Sequence, residues 1–195
     1  MGCDYMSLSM IDDQIKNCHK CSDMVSKFEQ KTTVSMGNRT DILLLGEAPA
    51  NNGWRKSGVA WYDTNHQLLR SGDILERLLQ LVDYHLNDTC FVEVVKCYPK
   101  ERKYLKICSQ NCKQYLIEQI RIIHPKIILP LGDVATKSLL DISYSKFSDV
   151  AGKVFTYQDI DVIPIYHPSP ISPVSYKGNV PIFEGVIKEK VKIYK

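Results

Sequence analysis

Several cysteine and glutamate residues occupy positions from which they could bind a metal or recognise a substrate. Cys18 and Cys21 form a Cys-x-x-Cys pair, which lets two thiolates from one turn reach the same metal or cluster. Zinc ribbons, redox sites and iron–sulfur clusters all use this spacing, so the pair alone does not choose among them. The chain has seven cysteines, a number that in a reducing compartment favours metal ligation or chemistry over disulfides.

Residues 91–97 read FVEVVKC, an apolar and β-branched run that predicts a strand buried on both faces. Glu93 places a carboxylate inside this run, and Cys97 places a thiol at its end. Because ligands collect at the C-terminal ends of strands in open α/β sheets, we interpret Glu93 as a substrate-reading group and Cys97 as a metal ligand. The alternative is a core strand with an edge-facing glutamate, although a buried carboxylate without a partner is costly.

Composition is typical of a soluble protein. The chain has 195 residues, of which 44% are hydrophobic and 24% charged, and its net charge of +3 neither requires nor excludes nucleic acid. No apolar run approaches the roughly 20 residues that span a bilayer, and the N-terminus lacks the pattern of a signal peptide. We therefore expect a cytoplasmic monomer without a membrane partner, folded as one domain over residues 1–195.

Hydrophobic periodicity predicts strands that alternate with helices. The predicted strands are residues 42–45, 90–96, 126–131 and 162–166, and the predicted helices are residues 7–30, 65–84, 109–123, 133–140 and 180–192. The second helix is expected to break near Gly72, with Asp73 capping its second half. Residues 49–64 are expected to form an ordered surface loop, and the basic connection over residues 98–108 either a solvated charge run or a phosphate-facing segment. This alternation predicts an α/β fold with a parallel sheet.

Three short motifs and four cysteines occur together in a recognisable order. GEAP at residues 46–49, VVKC at residues 94–97 and HPSP at residues 167–170 accompany Cys18, Cys21, Cys97 and Cys112. From about Cys18 to His167 the chain resembles the iron–sulfur uracil-DNA glycosylases, family 4 of the uracil-DNA glycosylase superfamily. The resemblance implies a three-layer α/β/α sandwich with a four-stranded parallel sheet. It also implies DNA as the partner and cleavage of an N-glycosidic bond at a nucleotide flipped out of duplex or single-stranded DNA.

The same resemblance implies a [4Fe–4S] cluster. Its four ligands would be Cys18, Cys21, Cys97 and Cys112, while Cys3, Cys90 and Cys108 would be spare. Cys108 is the spare thiol most easily confused with a ligand, because it lies four positions before Cys112 in the sequence. A four-cysteine zinc site remains the rival interpretation, since spacing alone does not separate the two.

The resemblance also implies roles for the motif residues. His167 corresponds to the histidine that donates to the departing base. Ala48 stands where the best-known uracil glycosylases carry aspartate. Glu47 therefore becomes the carboxylate that orients water or stabilises charge on the sugar. The plainer roles are a structural histidine and a glutamate that caps backbone amides. Trp61 corresponds to an aromatic residue that stacks on the flipped base, with a loop anchor as the alternative.

Loop residues complete the expected site. Gly58 and the loop PISP at residues 170–173 would approach the DNA backbone, where Ile171 could wedge into the base stack, and Ser169 would contact the substrate. Asn52 and Gly53 belong to a segment that is one residue longer than the family pattern, and they would leave room beside C5 of the base. We find no recognisable lyase lysine, which predicts a monofunctional enzyme that leaves an abasic site.

One departure from the family pattern concerns the base. Glu93 stands where the family has an asparagine that pairs with uracil, and an ionised glutamate lacks a donor for uracil O4 but accepts well from cytosine N4. We therefore hypothesise an antiviral glycosylase that acts on a C5-modified cytosine, such as glucosylated hydroxymethylcytosine, in phage DNA. The alternatives are a repair glycosylase for uracil or another deaminated base, and a non-catalytic iron–sulfur module that binds DNA.

Overall fold

A five-stranded sheet forms the centre of the molecule; the structure, a computed structural model, describes residues 5–26 and 30–194. The strands are β1 (Ile42–Gly46), β2 (Cys90–Glu93), β3 (Ile127–Pro130), β4 (Phe155–Tyr157) and β5 (Ile160–Val162). They lie in the order β2-β1-β3-β5-β4. β1, β2, β3 and β5 are parallel, and β4 pairs with β5 in the antiparallel direction.

Seven α-helices are described around the sheet. They are α1 (Tyr5–Lys16), α2 (Trp54–Ser57), α3 (Arg70–Leu79), α4 (Leu105–Ile123), α5 (Asp133–Leu140), α6 (Val180–Ile182) and α7 (Lys188–Tyr194). A 3₁₀ turn at Arg102–Tyr104 leads into α4, and a wide turn at Phe183–Ile187 joins α6 to α7. None of the helices in the described ranges is long and apolar enough to cross a membrane.

The helices pack on both faces of the sheet, as the predicted three-layer arrangement requires. Because successive strand residues point to opposite faces, Leu43 and Leu45 of β1 pack with α1, α4 and α5, whereas Ile42 and Leu44 pack with α3 and α7. All four side chains are completely buried. A strand that is apolar on both faces is the signature of a sheet covered by helices on both sides.

The sheet has one strand more than the predicted four. β4 has only three residues, its middle residue is exposed, and the turn into β5 places Gln158 at φ 57°. The turn lacks the Asn-Gly or Asp-Gly pair that signals a hairpin in a sequence, which explains why β4 was missed. β5 also ends at Val162 rather than continuing to residue 166; beyond it, a single bridge joins Leu131 to Ile165.

β2 is shorter than predicted, which changes the position of its cysteine. The strand ends at Glu93, which pairs with Gly46 at the end of β1. Cys97 therefore lies four residues beyond the strand and not at its C-terminal end. The turn is secured by Lys96, whose buried ammonium group donates to the Glu93 carbonyl and to Gln119 of α4.

The first helix is also shorter than the predicted residues 7–30. α1 ends at Lys16, and the described part of the following chain forms turns around Cys18 and Cys21; residues 27–29 of the prediction lie outside the described residues. The Lys31 ammonium group donates to the Lys16 carbonyl at 2.8 Å and to the Cys18 carbonyl. It thereby satisfies carbonyls that the end of a helix leaves without an internal partner.

The remaining differences concern helix boundaries. α3 runs unbroken through Gly72, where a Cβ would lie only 3.2 Å from Trp61 Cβ, so glycine makes room for the tryptophan. Asp73 lies in the first turn of α3 and is not its N-cap. α4 begins at Leu105 rather than at residue 109. The predicted closing helix is divided into α6, the wide turn and α7, and Gly185 within that turn has non-helical dihedral angles.

Candidate active site

A pocket of about 630 Å³ opens at the C-terminal edge of the parallel strands. The chain segments that follow β1, β2, β3 and β5 form its wall, which is where ligands bind in open α/β sheets. Four of the sequence-predicted site residues line it: Glu47, Ala48, His167 and Ser169. The structure therefore brings both predicted catalytic groups to one pocket.

The Glu47 carboxylate forms a two-pronged ion pair with Arg102. Arg102 Nη1 lies 2.9 Å from Glu47 Oε1, and Nη2 lies 3.2 Å from Oε2. The Glu47 side chain is 24% exposed, whereas the Arg102 side chain is 76% exposed. Sequence reasoning treated Arg102 only as part of a basic connection, because nothing in the sequence pairs it with a residue 55 positions away.

His167 projects into the pocket over a glycine. Gly132 has φ +87°, and a Cβ at this position would lie 3.1 Å from His167 Cβ, so the close approach favours glycine. The imidazole ring opens to the pocket, yet the surrounding protein removes enough water to lower its pKa from the ordinary 6.5. Glu47 opposes this effect and Arg102 adds to it. His167 is therefore neutral at pH 7 and can donate one hydrogen bond.

Glu93 is buried at the end of β2, where it pairs with Gly46, the residue before the pocket residue Glu47. The Thr32 hydroxyl donates to Glu93 Oε2 at 2.6 Å, and the side chain makes no further hydrogen bond within the described ranges. Burial raises the pKa of the Glu93 carboxyl to about 7, while the Thr32 hydrogen bond and the charge of Lys96 act in the opposite direction. The carboxyl group is thus divided between its acid and ionised forms near neutral pH.

Trp61 packs against the aromatic ring of Phe91, which lies two residues before Glu93 in β2. The ring centroids of Trp61 and Phe91 are 4.4 Å apart, and Trp54 contacts the same ring at 5.3 Å. Gly46 permits this packing, since a Cβ there would lie 3.0 Å from the Phe91 ring and 3.3 Å from Glu93 Cγ. Neither Glu93 nor Trp61 lines the 630 Å³ pocket. The predicted surface loop over residues 49–64 contains α2 and sends both tryptophans inward.

Three further predicted substrate contacts, Asn52, Gly53 and Ile171, also lie outside the pocket. Asn52 is exposed, and Ile171, directly after the HPSP motif, is 92% exposed. Gly53 is buried at the start of α2 with φ +99°, where a Cβ would lie 2.8 Å from Leu69 Cδ1. Its glycine identity is therefore explained by backbone geometry, and Gly58, which ends α2 at φ +76°, has the same explanation.

Arg55 is a positioning residue that the sequence did not reveal. Its guanidinium donates to the Ala50 carbonyl at 2.7 Å and to the Asn51 side-chain oxygen at 2.6 Å, and it lies 4.0 Å over the ring of Tyr98. It thereby joins the loop after β1 to the loop after β2. A buried arginine in a short helix has no local sequence signal, because its partners come from two loops.

The four predicted ligand cysteines line a separate cavity of about 300 Å³: Cys18, Cys21, Cys97 and Cys112. Burial, followed by the neighbouring Cys112, raises the pKa of Cys97 to about 12, so a positively charged group is needed to hold this residue as a thiolate. Four thiols around one cavity fit the ligand requirement of a [4Fe–4S] cluster. Within the described residues, no three cysteine, histidine or acidic side chains converge closely enough for a single ion.

The spare cysteines lie elsewhere. Cys90 is buried in β2, and Cys108 is buried in α4 beside Cys21 without lining the cavity. Cys3 lies outside the described residues. Cys108 contacts Cys21 but does not line the cavity, whereas Cys112 does, which favours Cys112 as the α4 ligand.

Comparisons with known proteins agree with this arrangement. The model of the uracil DNA glycosylase superfamily matches residues 34–188. A type-4 uracil-DNA glycosylase of Archaeoglobus fulgidus is 28% identical over 174 residues, which cover 85% of this chain and 83% of that protein. A type-4 uracil-DNA glycosylase of Sulfurisphaera tokodaii is 29% identical over 172 residues, covering 84% and 74%. The chain therefore belongs to the uracil DNA glycosylase superfamily and is a DNA N-glycosylase.

Proposed function

We propose that this enzyme flips a pyrimidine nucleotide out of DNA and hydrolyses its N-glycosidic bond, leaving an abasic site. The observation that carries the proposal is the presence of Glu47 and His167 in one pocket at the C-terminal edge of the sheet. As the bond breaks, positive charge develops on the sugar and negative charge on the base. The Glu47 carboxylate stabilises the sugar or orients the attacking water, and neutral His167 donates a hydrogen bond to the departing base.

Uracil is the base that we propose first. The curated relatives are named uracil-DNA glycosylases, and the pKa of Glu93 removes the main objection to uracil. An ionised carboxylate cannot donate to uracil O4, but a protonated carboxyl donates one hydrogen bond and accepts another. It therefore offers the pattern that O4 and N3–H of uracil require, and a pKa of about 7 makes this form available at neutral pH.

A C5-modified cytosine is the second candidate, and Glu93 is the observation that favours it. Both forms of the carboxyl group accept from cytosine N4, and the protonated form also donates to N3. In this alternative the enzyme removes modified, for example glucosylated hydroxymethyl, cytosine from phage DNA and serves antiviral defence. The relatives' names favour repair of uracil instead, and the glycine of the Asn52–Gly53 segment has a backbone explanation that needs no C5 substituent.

A substrate panel tests both candidates. Duplexes identical except for one uracil, cytosine, hydroxymethylcytosine or glucosylated hydroxymethylcytosine are incubated with the enzyme, and abasic sites are cleaved with alkali and counted. Cleavage of the uracil duplex alone supports uracil repair, and cleavage of a modified-cytosine duplex supports the antiviral alternative. Retained DNA binding with no abasic site on any duplex would contradict the glycosylase proposal and favour a binding module.

We further propose that Cys18, Cys21, Cys97 and Cys112 hold a [4Fe–4S] cluster. When bound, such a cluster links the turn after α1, the turn after β2 and helix α4 through covalent metal–thiolate bonds. The cysteine side chains lie away from Glu47 and His167, in a different cavity. Their role is therefore to fix the segments from which the pocket is built.

Serine substitution of any of these four cysteines is expected to remove the cluster. The protein purified without oxygen should contain about four irons per chain and absorb visible light broadly, and each variant should lose both iron and thermal stability. Cys90→Ser is the matched control, because this thiol is buried in β2, does not line the cavity and should leave the iron content unchanged. Stoichiometric zinc without iron would contradict the assignment.

A further inference from the structure

The two-pronged contact between Arg102 and Glu47 has an unusual consequence for a catalytic carboxylate. The guanidinium takes one lone pair of each carboxylate oxygen, and its charge offsets the negative charge that Glu47 needs in order to stabilise a positively charged sugar or to polarise a water molecule. Arg102 itself is mostly exposed, and an ion pair with an exposed partner is weak because water competes with it. Another anion can therefore displace the carboxylate at little cost.

A basic groove of about 480 Å³ lies next to the pocket, between the start of α4 and helix α5. Two acidic side chains, Asp133 and Asp141, line the groove together with five cationic ones: Arg102, Lys103, Lys106, Lys113 and Lys137. Lys137 pairs with Asp133 at 3.0 Å and Lys103 pairs with Glu101 at 2.9 Å, whereas neither Lys106 nor Lys113 forms an ion pair within the described residues. The groove therefore keeps an excess of positive charge.

Arg102 belongs to both the groove and the pocket. Leu105, Asp133 and Val134 also line both, so the two depressions are continuous. A DNA strand whose flipped nucleotide enters the pocket can place a neighbouring phosphate against this shared wall. A guanidinium fork fits a phosphate as well as a carboxylate, and phosphates are the groups that basic grooves attract.

We propose that Arg102 shields Glu47 in the free enzyme and transfers to a phosphate of the bound strand, so that Glu47 becomes free only when DNA occupies the groove. Arg102 is then a positioning residue that couples binding of the DNA backbone to chemistry. This inference rests on the proposed glycosylase function. It assigns the groove to the phosphodiester backbone that flanks the flipped nucleotide.

Neutral methylphosphonate linkages, introduced one at a time on either side of the target nucleotide, test the transfer in single-turnover reactions. At the linkage that Arg102 binds, the wild type should lose about tenfold or more in rate, because nothing draws Arg102 away from Glu47. In Arg102→Gln that penalty should shrink to about twofold or less. Lys188→Gln, on the remote helix α7, is the matched control and should retain the full wild-type penalty.

A second measurement does not depend on cleavage. The guanidinium nitrogen resonances of Arg102 are followed by NMR while a duplex with a tetrahydrofuran abasic analogue is added. The Arg102 resonances should shift when the duplex binds. In the double variant Lys106→Gln/Lys113→Gln, the same shift should require a higher duplex concentration, and binding should depend less steeply on salt. Unmoved Arg102 resonances, or an equal methylphosphonate penalty in Arg102→Gln and the wild type, would overturn the proposal. Absence of cleavage by the wild type would instead count against the glycosylase function.

Discussion

Replacing Glu47 or His167 with alanine is expected to lower the single-turnover cleavage rate by about 10²-fold or more. Both groups line the pocket, and each acts mainly on charge that develops as the glycosidic bond breaks. Groups that act in the transition state change the rate constant more than the affinity for the ground state. The dissociation constant for DNA should therefore change little.

Two controls separate chemistry from structure. Glu47→Gln keeps the size of the side chain and a hydrogen-bond acceptor for Arg102 but removes the charge, so it should be nearly as slow as Glu47→Ala. For His167, the lowered pKa means that the imidazole gains a proton only below pH 6.5. The rate should therefore not depend on His167 protonation above that value, and any change of rate that His167 causes should appear only on its acidic side and disappear in His167→Ala. Near-normal rates in both alanine variants would refute the assigned roles.

The sequence was sufficient to predict the parts of the fold that depend on local patterns. The apolar runs of β1, β2 and β3 identified the parallel strands, and the motif cysteines identified four residues that the structure gathers around one cavity. Boundaries were less accurate where tertiary contacts decide them. Lys31, which lies 15 positions away, satisfies the end of α1 at Lys16, and such a contact leaves no periodic signal in the sequence.

The same limit applies to the site. Glu47 and His167 were identifiable because short motifs contain them, but Arg102 and Arg55 act through partners that only the folded chain brings near. Burial was the other missing quantity. Glu93 could be recognised as a carboxylate in an apolar run, yet its raised pKa follows from burial, which outweighs the opposite effects of Thr32 and Lys96. That pKa adds the acid form, which the sequence alone gave no reason to use for reading uracil.

If the acid form of Glu93 reads uracil, activity on uracil DNA must depend on pH in a defined direction. The folded-state pKa of about 7 lies above the ordinary 4.5, so the acid form predominates below pH 7 and is lost as the pH rises through that value. We expect the single-turnover rate to fall by up to about tenfold per pH unit on the alkaline side. Buried Lys96, with a pKa lowered to about 8, also titrates in this region, so variants of Glu93 are needed to assign the change.

Glu93→Gln is the most informative of these variants. The glutamine amide donates one hydrogen bond and accepts another at every pH, so uracil cleavage should persist and lose the decline centred near pH 7. Any remaining decline near pH 8 then belongs to Lys96. Glu93→Ala should abolish activity, because a buried base edge without partners is strongly disfavoured, and Glu93→Asn should retain or gain activity on uracil.

A cytosine-type substrate predicts a different pattern for the same variants. In the orientation that reads uracil, the asparagine NH₂ group donates to O4, and it would face the N4 amine of cytosine, which is also a donor. Glu93→Asn should therefore lose activity on a C5-modified cytosine while it acts on uracil. Wild type and the three variants are therefore compared on a uracil duplex and a modified-cytosine duplex between pH 6 and pH 9. A uracil rate that is independent of pH and unchanged in Glu93→Gln would contradict base reading by the acid form. Cleavage of modified cytosine alone would make the antiviral alternative the function, because a carboxyl group that accepts from N4 is then the group that selects the base.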